Sequence, residues 1–506
     1  MIALFFSVLF VNVVLMFFMI FFQQKRPHRI FIWLLVFFVL PIIGFLLYIL
    51  FGVGVFNRKK KLSQTLNNSF LEKQNLKLNV KNELKENSRI NLQNNKNFRK
   101  NRIKTENLDS GKYVNAMIFN ASLHREEITK NESVEIFRDG IRAFEEIINS
   151  IRKAKKFIFV QSYIFASDEI GTKILTELVE KAKSGVKVIV LIDSVGSRKL
   201  KKDFFKDLVL AGGVVFEYFS PLFNVKFLNL MLNYRNHRKI IIIDTFTCFI
   251  GGLNVRDDHL GKNRKLSPWL DTHIKIVGTV GLNLLKVFLS DLKLCTKKEE
   301  KNINNVFDNK FFEDFKCENL DMSKCEIGAG LINSSPLNLS QKIEDSFIYL
   351  INNALKSIVI ETPYLILDEK FFCAIKNSLI SGVKVKIILS KIPDKKFVYN
   401  ASLYYANQLI KEGAEIFLFD GFVHSKTMLV DDEIFVCGSA NFDMRSFNLN
   451  SETSLIVYNR KVAQDFKNEI IKTINCCEKL ELNFYKKLPV YKKLAIKFSK
   501  LFSPIL

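Results

Sequence analysis

The sequence is poor in the residues that build disulfide frameworks and metal clusters. It has 8 Cys and 6 His among 506 residues, and Cys248 and Cys437 lie inside apolar runs. No spacing among the cysteines matches a zinc site or a disulfide-stapled secreted domain. We therefore expect reduced, cytosolic thiols that act as small apolar side chains. The absence of HxH and HExxH spacings also disfavours a metal site.

Acidic residues are in short supply as well. There are 51 Asp and Glu against 75 Lys and Arg, which gives a formal net charge of +24. A balance this basic favours a polyanionic partner, either nucleic acid or an anionic membrane surface. The chain is 48% hydrophobic and contains 48 Phe, so it can bury a large core and form more than one domain.

Charge is missing altogether from two stretches near the N-terminus. Residues 1–22 and 30–56 contain no Asp, Glu, Lys or Arg, and each is long enough as a helix to cross a bilayer core of ~30 Å. No basic residue precedes the first stretch and "FFQQKR" closes it, which is unlike a cleaved signal peptide. We therefore predict a hairpin of two transmembrane helices in residues 1–56.

Basic residues follow both apolar stretches, and the cluster after the second, which begins at Arg58, is the longer. The positive-inside rule then predicts a multi-pass protein of the cell membrane with its catalytic domains in the cytoplasm. A re-entrant second stretch would leave both flanks cytoplasmic. Residues 57–112 are rich in Asn and Lys with sparse Leu and Ile, so we expect a basic tether that lies against anionic headgroups.

From about residue 113 the pattern is that of an α/β protein. "KKFIFVQSYIF" precedes "KILTELVEKAKSGVKVIVLID", and later "KSIVIETPYLI" precedes "FFCAIKNSLISGVKVKIILS". Each pair indicates strand, helix, strand, with mostly parallel central strands. We predict two pseudo-symmetric α/β repeats, residues 113–325 and 326–478, packed face to face about a pseudo-twofold axis as one catalytic unit. Residues 479–506 mix Lys with Leu, Phe and Ile, which is typical of a basic amphipathic helix on a membrane or of a plain packing helix.

The two repeats share a polar motif with the same internal spacing. "NHRKIIIID" is matched by "VHSKTMLVD", and the Lys, Asp, Gly and Asn that follow each His lie 2, 7, 14 and 17 positions away in both copies. Four equal spacings are improbable by chance, so the motifs predict one shared site. The residues are His237, Lys239, Asp244, Gly251 and Asn254, and His424, Lys426, Asp431, Gly438 and Asn441.

These side chains suit the chemistry of a phosphodiester. Residues two apart in a strand share a face, so His237 and Lys239 should project together, as should His424 and Lys426. Ammonium and amide groups can bind the phosphate oxygens, while one imidazole attacks phosphorus and the other protonates the leaving oxygen. The nucleophile must be neutral and the acid protonated, so we expect the site to separate the two histidine pKa values.

The carboxylates of the site are less obvious. Asp244 and Asp431 belong to the catalytic motif but stand an odd number of residues from their histidines, so we interpret them as structural groups that hold the turn after the strand. A reacting imidazole needs a carboxylate on its other nitrogen. The repeat nominates Asp271 in "WLDTHIKIV" and Glu452 in "NSETSLIVY", 34 and 28 residues after the histidine of the same repeat. An exposed acid at the start of a strand is the alternative interpretation.

Two HxKxxxxD motifs, each followed by GGxN or GSxN, resemble the phospholipase D superfamily. Within it the chain is similar to the bacterial cardiolipin synthases. The similarity extends over nearly the whole chain except the tether, through "RPHRIFIWLLVFFVLPIIGFLLYILFG", "YIFASDEIGTKI", "RNHRKIIIID", "GGLNVRDDHL", "PWLDTHIKIVG", "GSANFDMRSFNLNSE" and "KLFSPIL".

The resemblance implies a reaction and roles. A phosphatidyl group would pass from one phosphatidylglycerol to another, giving cardiolipin and glycerol without a metal or organic cofactor. It also implies that His237 is the nucleophile and His424 the acid, although the residues themselves leave that order open. The phosphate ligands it implies are Lys239, Lys426, Asn254 and Asn441.

Three departures from the family pattern leave the HxK pairs intact. Leu270 stands where Arg is usual, His259 replaces a Tyr after "RDD", and "SDLKL" lacks a Trp; these bear on acceptor preference and efficiency rather than on reaction class. A phospholipase D, a nuclease and an inactive lipid-binding protein are the alternatives. Membrane helices disfavour the nuclease, and intact motifs disfavour the inactive protein. We expect phosphatidylglycerol and anionic membrane lipids as partners, no nucleic acid, and an undetermined oligomeric state.

Overall fold

A computed structural model of the chain describes residues 10–17, 34–37, 44, 110–218, 234–292, 295, 320–336 and 342–505. Its contacts divide the chain into two units, one of Met1–Lys73 with Pro221–Asn233 and one of Gln74–Ser220 with Tyr234–Leu506. In the first unit, residues 10–17 and 34–37 are helical, and Phe37 is buried beside Leu15, Met16 and Leu34.

The predicted membrane hairpin falls mostly outside the described residues. Over the described ranges, no helix combines the length and apolar character that crossing a bilayer requires. The hairpin in residues 1–56 therefore stays a prediction. So does the tether in residues 57–112, of which only residues 110–112 are described, as the start of a helix.

The second unit alternates helices and strands, as the sequence predicts for an α/β protein. The helices are α1 Ser110–His124, α2 Gly140–Lys153, α3 Glu169–Lys183, α4 Lys206–Leu210, α5 Val280–Leu292, α6 Lys342–Asn352, α7 Glu369–Ile380, α8 Lys396–Lys411, α9 Met444–Asn448, α10 Arg460–Asn475, α11 Phe484–Lys487 and α12 Val490–Lys500. Short 3-10 turns occur at Asp257–Leu260, Met322–Lys324 and Ser503–Ile505.

The strands of the first repeat are β1 Thr129–Phe137, β2 Phe157–Ser162, β3 Lys187–Asp193, β4 Val214–Tyr218, β5 Arg235–Asn236, β6 Ile240–Ile243, β7 Thr247–Gly251, β8 Trp269–Leu270 and β9 His273–Gly278. Those of the second are β10 Ile327–Ser334, β11 Ser357–Glu361, β12 Leu365–Ile366, β13 Lys384–Ser390, β14 Glu415–Phe419, β15 Phe422–Val423, β16 Thr427–Val430, β17 Ile434–Gly438, β18 Phe442–Asp443, β19 Asn450–Tyr458 and β20 Cys477–Lys479.

Helix α2 shows why the amphipathic stretches form where they do. Asp139 caps its first turn by accepting the amide N–H of Arg142 at 2.8 Å, which satisfies a donor that the helix itself cannot. Apolar side chains three and four apart, from Ala143 to Ile151, face the core. A fully buried Leu or Ile side chain stabilises the fold by about 1.5–3 kcal/mol, so this face holds the helix on the sheet.

The two repeats have the same strand order. In the first it is β4-β3-β2-β6-β7-β9-β1 and in the second β14-β13-β11-β16-β17-β19-β10. The outer strands β2, β3 and β4 are parallel, as predicted, but β6, β7 and β9 are antiparallel to their neighbours. The prediction of mostly parallel central strands is wrong because a short turn joins β6 to β7, and a short turn can join only antiparallel strands.

The repeats meet in the middle of one continuous sheet. Strand β1 pairs antiparallel with β10, so 16 of the 20 described strands, from both halves, belong to one sheet. The other four form two separate pairs, β12 with β18 and β8 with β15. Strand β7 also contacts β17. The repeats are therefore joined in two ways: edge to edge through β1 and β10, and through the contact between β7 and β17. The sequence predicted only that they pack face to face. Pairing β1 with β10 satisfies backbone groups that would otherwise lie at two exposed edges.

Candidate active site

Each HxK pair precedes a buried strand rather than lying inside it. Residues 237–239 connect β5 to β6, and residues 424–426 connect β15 to β16. Strand β6 is four consecutive isoleucines, all buried. The ammonium of Lys239 donates to the carbonyl oxygen of His237 at 2.6 Å, and that of Lys426 bonds the carbonyl oxygen of His424 in the same way. Each lysine is therefore tied to the backbone of its own histidine.

Short strands cross between the repeats next to both histidines. Strand β5, which leads to His237, pairs in parallel with Asn450 and Ser451, just before Glu452. Strand β15, which leads to His424, pairs in parallel with β8, just before Asp271. The crossing places each histidine beside the carboxylate of the other repeat.

The hydrogen bonds follow this crossing. His237 Nδ1 lies 3.0 Å from Glu452 Oε1 and 3.2 Å from Oε2. His424 Nδ1 lies 2.7 Å from Asp271 Oδ2. The sequence predicts both acids but associates each with the histidine of its own repeat, and that association is wrong. A carboxylate can only accept, so each imidazole holds its proton on Nδ1 and leaves Nε2 with a free lone pair.

Burial depresses the pKa of both histidines. It lowers the pKa of His237 to about 4, although Glu452 opposes the shift. It lowers the pKa of His424 well below 6.5, together with the neighbouring Lys426. Both imidazoles are therefore neutral in this structure. A bound phosphate anion would favour the protonated form of either ring, and the predicted separation of the two pKa values stays a prediction.

The two lysines of the site are buried, and burial strongly lowers the pKa of both. Burial lowers the pKa of Lys239 to about 7, against the attraction of Glu452, and lowers that of Lys426 to about 8, against the attraction of Asp271. Each ammonium also depresses the pKa of the other lysine or of the neighbouring histidines. An anion bound between them would relieve this repulsion, so the charges of the site favour an anionic ligand.

The motif asparagines differ in their surroundings. Asn254 accepts the amide N–H of Ile164 at 3.2 Å through Oδ1, and its Nδ2 lies 3.2 Å from His259 Nε2. The backbone N–H of Asn441 donates to Ser446 Oγ at 3.3 Å. Both side chains are buried. Their role as phosphate ligands stays a prediction.

The motif aspartates lie at the far ends of β6 and β16. Asp244 accepts the backbone N–H groups of Lys155, Lys156 and Phe157 at 2.7–3.0 Å. Asp431 accepts those of residues 355–357 at 2.6–2.8 Å. Both adopt positive φ, 47° and 53°, which Asp tolerates better than most residues. Their contacts agree with the structural interpretation rather than with a place in the catalytic set.

Several residues of the site carried no clear signal in the sequence. Tyr163 lies edge-on to the His237 ring at 4.8 Å, and the Lys239 ammonium lies 5.3 Å from the centre of the Tyr163 ring. Arg138 binds Glu361 through two hydrogen bonds of 2.7 Å, and Glu361 in turn accepts from Ser425 at 2.7 Å. Of these residues, only Tyr163 could have been found from the sequence. It follows strand β2, and Tyr364 follows the corresponding strand β11 of the second repeat.

One group of side chains has the composition of a metal site. Ligand atoms of His259, Asp271 and His424 lie within 4.8 Å of one another. Both Nδ1 atoms point at the same carboxylate oxygen, and two N–H donors on one acceptor explain that geometry. The expectation of no metal or organic cofactor stays a prediction. The described cysteines are free, as expected, and are Cys248, Cys295, Cys325, Cys373, Cys437, Cys476 and Cys477.

Comparison with known proteins shows which class of protein has these repeats. The family model described as "Cardiolipin synthase, PLD-like domain" matches residues 147–274 and 347–474, and the model described as "Phospholipase_D-nuclease N-terminal" matches residues 10–52. The fold is also that of the crystal structure of phosphatidylserine synthase from Haemophilus influenzae Rd KW20, with a TM-score of 0.55, 19% identity, and coverage of 75% of this chain and 97% of that one. The fold and the family match define an enzyme of the phospholipase D type.

Full-length relatives narrow the class. A cardiolipin synthase of Clostridium perfringens strain 13 is 35% identical over 96% of this chain and 95% of its own length. The major cardiolipin synthase of Bacillus subtilis strain 168 is 36% identical over 98% of this chain and 97% of its own. A Staphylococcus aureus N315 cardiolipin synthase is 33% identical over 100% and 97%. The chain belongs to the cardiolipin synthase family.

Proposed function

We propose that the protein transfers a phosphatidyl group from one phosphatidylglycerol to the hydroxyl of another through a covalent phosphohistidine. One observation carries the proposal. Two buried HxK pairs from different repeats share one site, and each histidine is held at Nδ1 by a carboxylate from the opposite repeat. A single such pair could be a structural feature, but two crossed pairs supply a nucleophile, an acid and two cations together.

The first half of the reaction forms the intermediate. Nε2 of His237, freed by the Nδ1 contact with Glu452, attacks phosphorus of the donor. An N–P bond forms and the P–O bond to the donor's terminal glycerol breaks. His424, which is protonated in the complex with the anionic substrate, gives its proton to the leaving glycerol oxygen. Lys239 and Lys426 neutralise the charge on the phosphoryl oxygens.

The second half reverses the roles. His424 is now neutral and removes the proton from the terminal hydroxyl of the acceptor phosphatidylglycerol. That oxygen attacks phosphorus, the N–P bond breaks, and His237 is released neutral. The balance is two phosphatidylglycerols to one cardiolipin and one glycerol, and no electron or metal ion enters it.

A cationic rim beside His237 favours a lipid acceptor over water. The pKa of the Tyr163 hydroxyl is raised by burial and by Asp193, while Arg235, Arg445 and Arg198 oppose the rise. The charges of these three arginines, of which Arg235 is buried and Arg198 exposed, therefore act on the ring that contacts His237, and together they are the cationic rim. An acceptor phosphatidylglycerol carries its own phosphate, which this rim would attract, whereas water gains nothing from it.

Product analysis separates transfer from hydrolysis. Membranes containing the protein receive phosphatidylglycerol labelled in its terminal glycerol and in its acyl chains. Cardiolipin with free glycerol supports the proposal, whereas phosphatidic acid with glycerol makes the protein a phospholipase D. Arg198 is exposed, so Arg198→Gln should lower the ratio of cardiolipin to phosphatidic acid without stopping turnover, and Lys199→Gln is the matched control.

The order of the histidines needs a separate experiment. Labelled substrate is mixed with the enzyme and quenched in alkaline denaturant, which preserves phosphohistidine, and the labelled peptide is located. We expect label on the peptide that contains His237. Label on the peptide that contains His424 would reverse the two roles but keep the mechanism. The absence of any labelled peptide, with cardiolipin still forming, would contradict the covalent pathway.

The C-terminal segment supports contact with anionic lipid. Helix α12 buries Ile496 and Ser499 and packs against α8. Tyr491, Leu494 and Phe498 remain exposed. Lysines lie between these apolar side chains, and a helix of this kind fits the headgroup region of an anionic bilayer. One face of the helix packs on the fold, and the exposed face supports the proposal that residues 479–506 also lie on the membrane.

This surface can be tested in mixed micelles in which phosphatidylglycerol is diluted by neutral detergent. Leu494→Glu should raise the surface concentration of lipid needed for half-maximal rate and leave the maximal rate unchanged. Ile380 is similarly exposed, at 72% against 61% for Leu494, so Ile380→Glu is the matched control. If the two variants behave alike, helix α12 does not contact the membrane.

We propose further that the N-terminal hairpin anchors the chain in the cell membrane, with the catalytic repeats cytoplasmic and without a nucleic-acid partner. Support comes from the uncharged stretches and from the N-terminal family match at residues 10–52. Cys373 and Cys476 are exposed and report the side directly. A membrane-impermeant maleimide should label them only after cells are permeabilised, and labelling of intact cells would reverse the orientation.

A further inference from the structure

A third imidazole lies in the site. His259 occupies the 3-10 turn Asp257–Leu260 and is buried. Its ring packs edge-on against that of His424, with 4.9 Å between centroids, and against that of Trp269 at 4.7 Å. The reaction described above gives this residue no part, although it touches an essential histidine.

His259 and His424 share one carboxylate oxygen. Nδ1 of His259 lies 3.1 Å from Asp271 Oδ2, and Nδ1 of His424 lies 2.7 Å from the same atom. The other carboxylate oxygen accepts the amide N–H of Thr272 at 2.8 Å. Because Asp271 can only accept, both rings carry their proton on Nδ1, and Nε2 of His259 is left as an acceptor.

That acceptor fixes the amide of Asn254. The backbone N–H of Asn254 points at His259 Nε2 at 3.4 Å, and its side-chain Nδ2 lies 3.2 Å away. The amide oxygen is meanwhile occupied by the N–H of Ile164 at 3.2 Å. With a donor group on one side and an acceptor on the other, the amide of Asn254 has one orientation that satisfies both contacts.

The second repeat meets the same need without a titrating group. Ser446 stands five residues after Asn441, as His259 stands five after Asn254, and its hydroxyl accepts the N–H of Asn441. The carboxylate of Glu452 accepts from the hydroxyl of Ser439 at 2.5 Å and from the amide of Asn450 at 3.1 Å. Ser446, Ser439 and Asn450 do not ionise near pH 7. The second half of the site therefore has no titrating group at the position that His259 occupies in the first half.

We propose that His259 is a positioning residue that must be neutral for phosphate to bind, because it connects the Asp271–His424 pair to the orientation of the Asn254 amide. The proposal rests on the proposed function. A protonated His259 would carry N–H at Nε2 and face the N–H groups of Asn254, donor against donor. Turning the amide over would set its NH2 against the N–H of Ile164, so either arrangement leaves a buried donor unsatisfied.

The charges around the ring set the pH range. Burial lowers the pKa of His259, the contact with Asp271 opposes this, and Lys426 and Lys239 add to the lowering. His424 and His273 are the other titratable neighbours. Helices α2 and α3, which pack against the turn, meet its backbone: Gly140 approaches the carbonyl of His259, and Asp168 accepts the N–H of Asp257. The ring is therefore neutral at pH 7 and gains a proton only below pH 6.5.

The test measures kcat and KM for phosphatidylglycerol against pH. In the wild type we expect KM to rise as pH falls below 6.5, with kcat less affected. His259→Tyr and His259→Gln have no proton to gain in this range, so both should flatten the acid rise in KM. His259→Phe removes both hydrogen bonds and should raise KM about tenfold at pH 7. Ser446→Ala, the equivalent position, should leave the pH dependence unchanged.

The outcomes separate this proposal from the proposed function. An acid rise in KM of equal size in the wild type and in both non-titrating variants would overturn it, as would a normal KM in His259→Phe. Thermal unfolding midpoints show which variants are folded. If either His259→Tyr or His259→Gln fails to fold, the other still provides the non-titrating variant that the test needs. Formation of phosphatidic acid instead of cardiolipin would overturn only the proposed reaction, because both reactions begin with the same bound phosphodiester.

Discussion

Replacing Glu452 by Gln tests the crossed arrangement of the site most directly. The Glu452 side chain is fully buried and faces donors on three residues, namely His237 Nδ1 at 3.0 Å, the Ser439 hydroxyl at 2.5 Å and the Asn450 amide at 3.1 Å. Burial alone would raise its pKa, but His237 and Lys239 bring the pKa below 4.5. The group is therefore an anion that accepts from every neighbour.

Glutamine keeps the shape and removes the charge. A hydrogen bond to a charged group contributes about 1.5–3 kcal/mol, and about 1.36 kcal/mol corresponds to a factor of ten in rate, so the loss should be at least about 10- to 150-fold in kcat/KM. If the amide NH2 turns toward His237, the ring must move its proton to Nε2. The nucleophilic lone pair would then be lost, and the defect could approach the roughly 10⁴-fold seen when a similar change gives the wrong tautomer in serine proteases.

Two measurements are needed. Initial rates of cardiolipin formation give the loss in kcat/KM, with Glu326→Gln as an exposed control outside the site. Nitrogen NMR of the protein labelled at its 6 histidines reports the tautomers, and single histidine substitutions assign the signals. We expect Glu452→Gln to change the His237 signals and Asp271→Asn to change those of His424 and His259. A change at His424 in the Glu452 variant, or an unchanged rate, would refute the crossed pairing.

Three further predictions concern stability, pH and metals. Asp431→Asn keeps a residue that tolerates φ of 53° but weakens bonds to three backbone N–H groups. The free energy of unfolding, measured by denaturant titration, should therefore fall by about 1–3 kcal/mol, and unchanged stability would contradict the structural role. Burial lowers the pKa of Lys239 to about 7, so its charge is lost above that pH and KM for phosphatidylglycerol should rise between about pH 7 and 8. Lys239→Arg should flatten this rise, and a flat wild-type profile would contradict it. Prolonged dialysis against a chelator should leave the rate of cardiolipin formation unchanged, whereas a loss restored by a divalent cation would make the cluster of His259, Asp271 and His424 a metal site.

Much of the site could be predicted because its residues repeat. Equal spacing from His to Lys and Asn in two copies identified six of the side chains, and the same repeat selected Asp271 and Glu452. The parity of a strand separated Asp244 and Asp431 from the histidines, and the structure places them among backbone N–H groups at the far end of β6 and β16. These inferences need only local geometry, which a sequence carries.

Other features depended on contacts between distant residues. The mixed direction of the central strands follows from the turn after β6, a short connection that the strand-helix-strand pattern did not include. His259 looked like a simple replacement of Tyr, because the composition of a turn does not show that its side chain reaches a carboxylate 12 residues later. Arg138 and Glu361 are 223 residues apart, and no spacing connects them.

The sequence by itself determined the candidate groups of the site, which are two HxK motifs and two acids, and the basic character of the chain. Periodicity and repetition are local properties, and they are sufficient for that. Only the tertiary structure decided which acid serves which histidine. Strands β5 and β15 each leave their own repeat to pair beside the other, so His237 meets Glu452 and His424 meets Asp271. Strand pairing between repeats is a long-range choice of backbone hydrogen bonds, and two repeats of similar sequence allow both the crossed and the uncrossed arrangement.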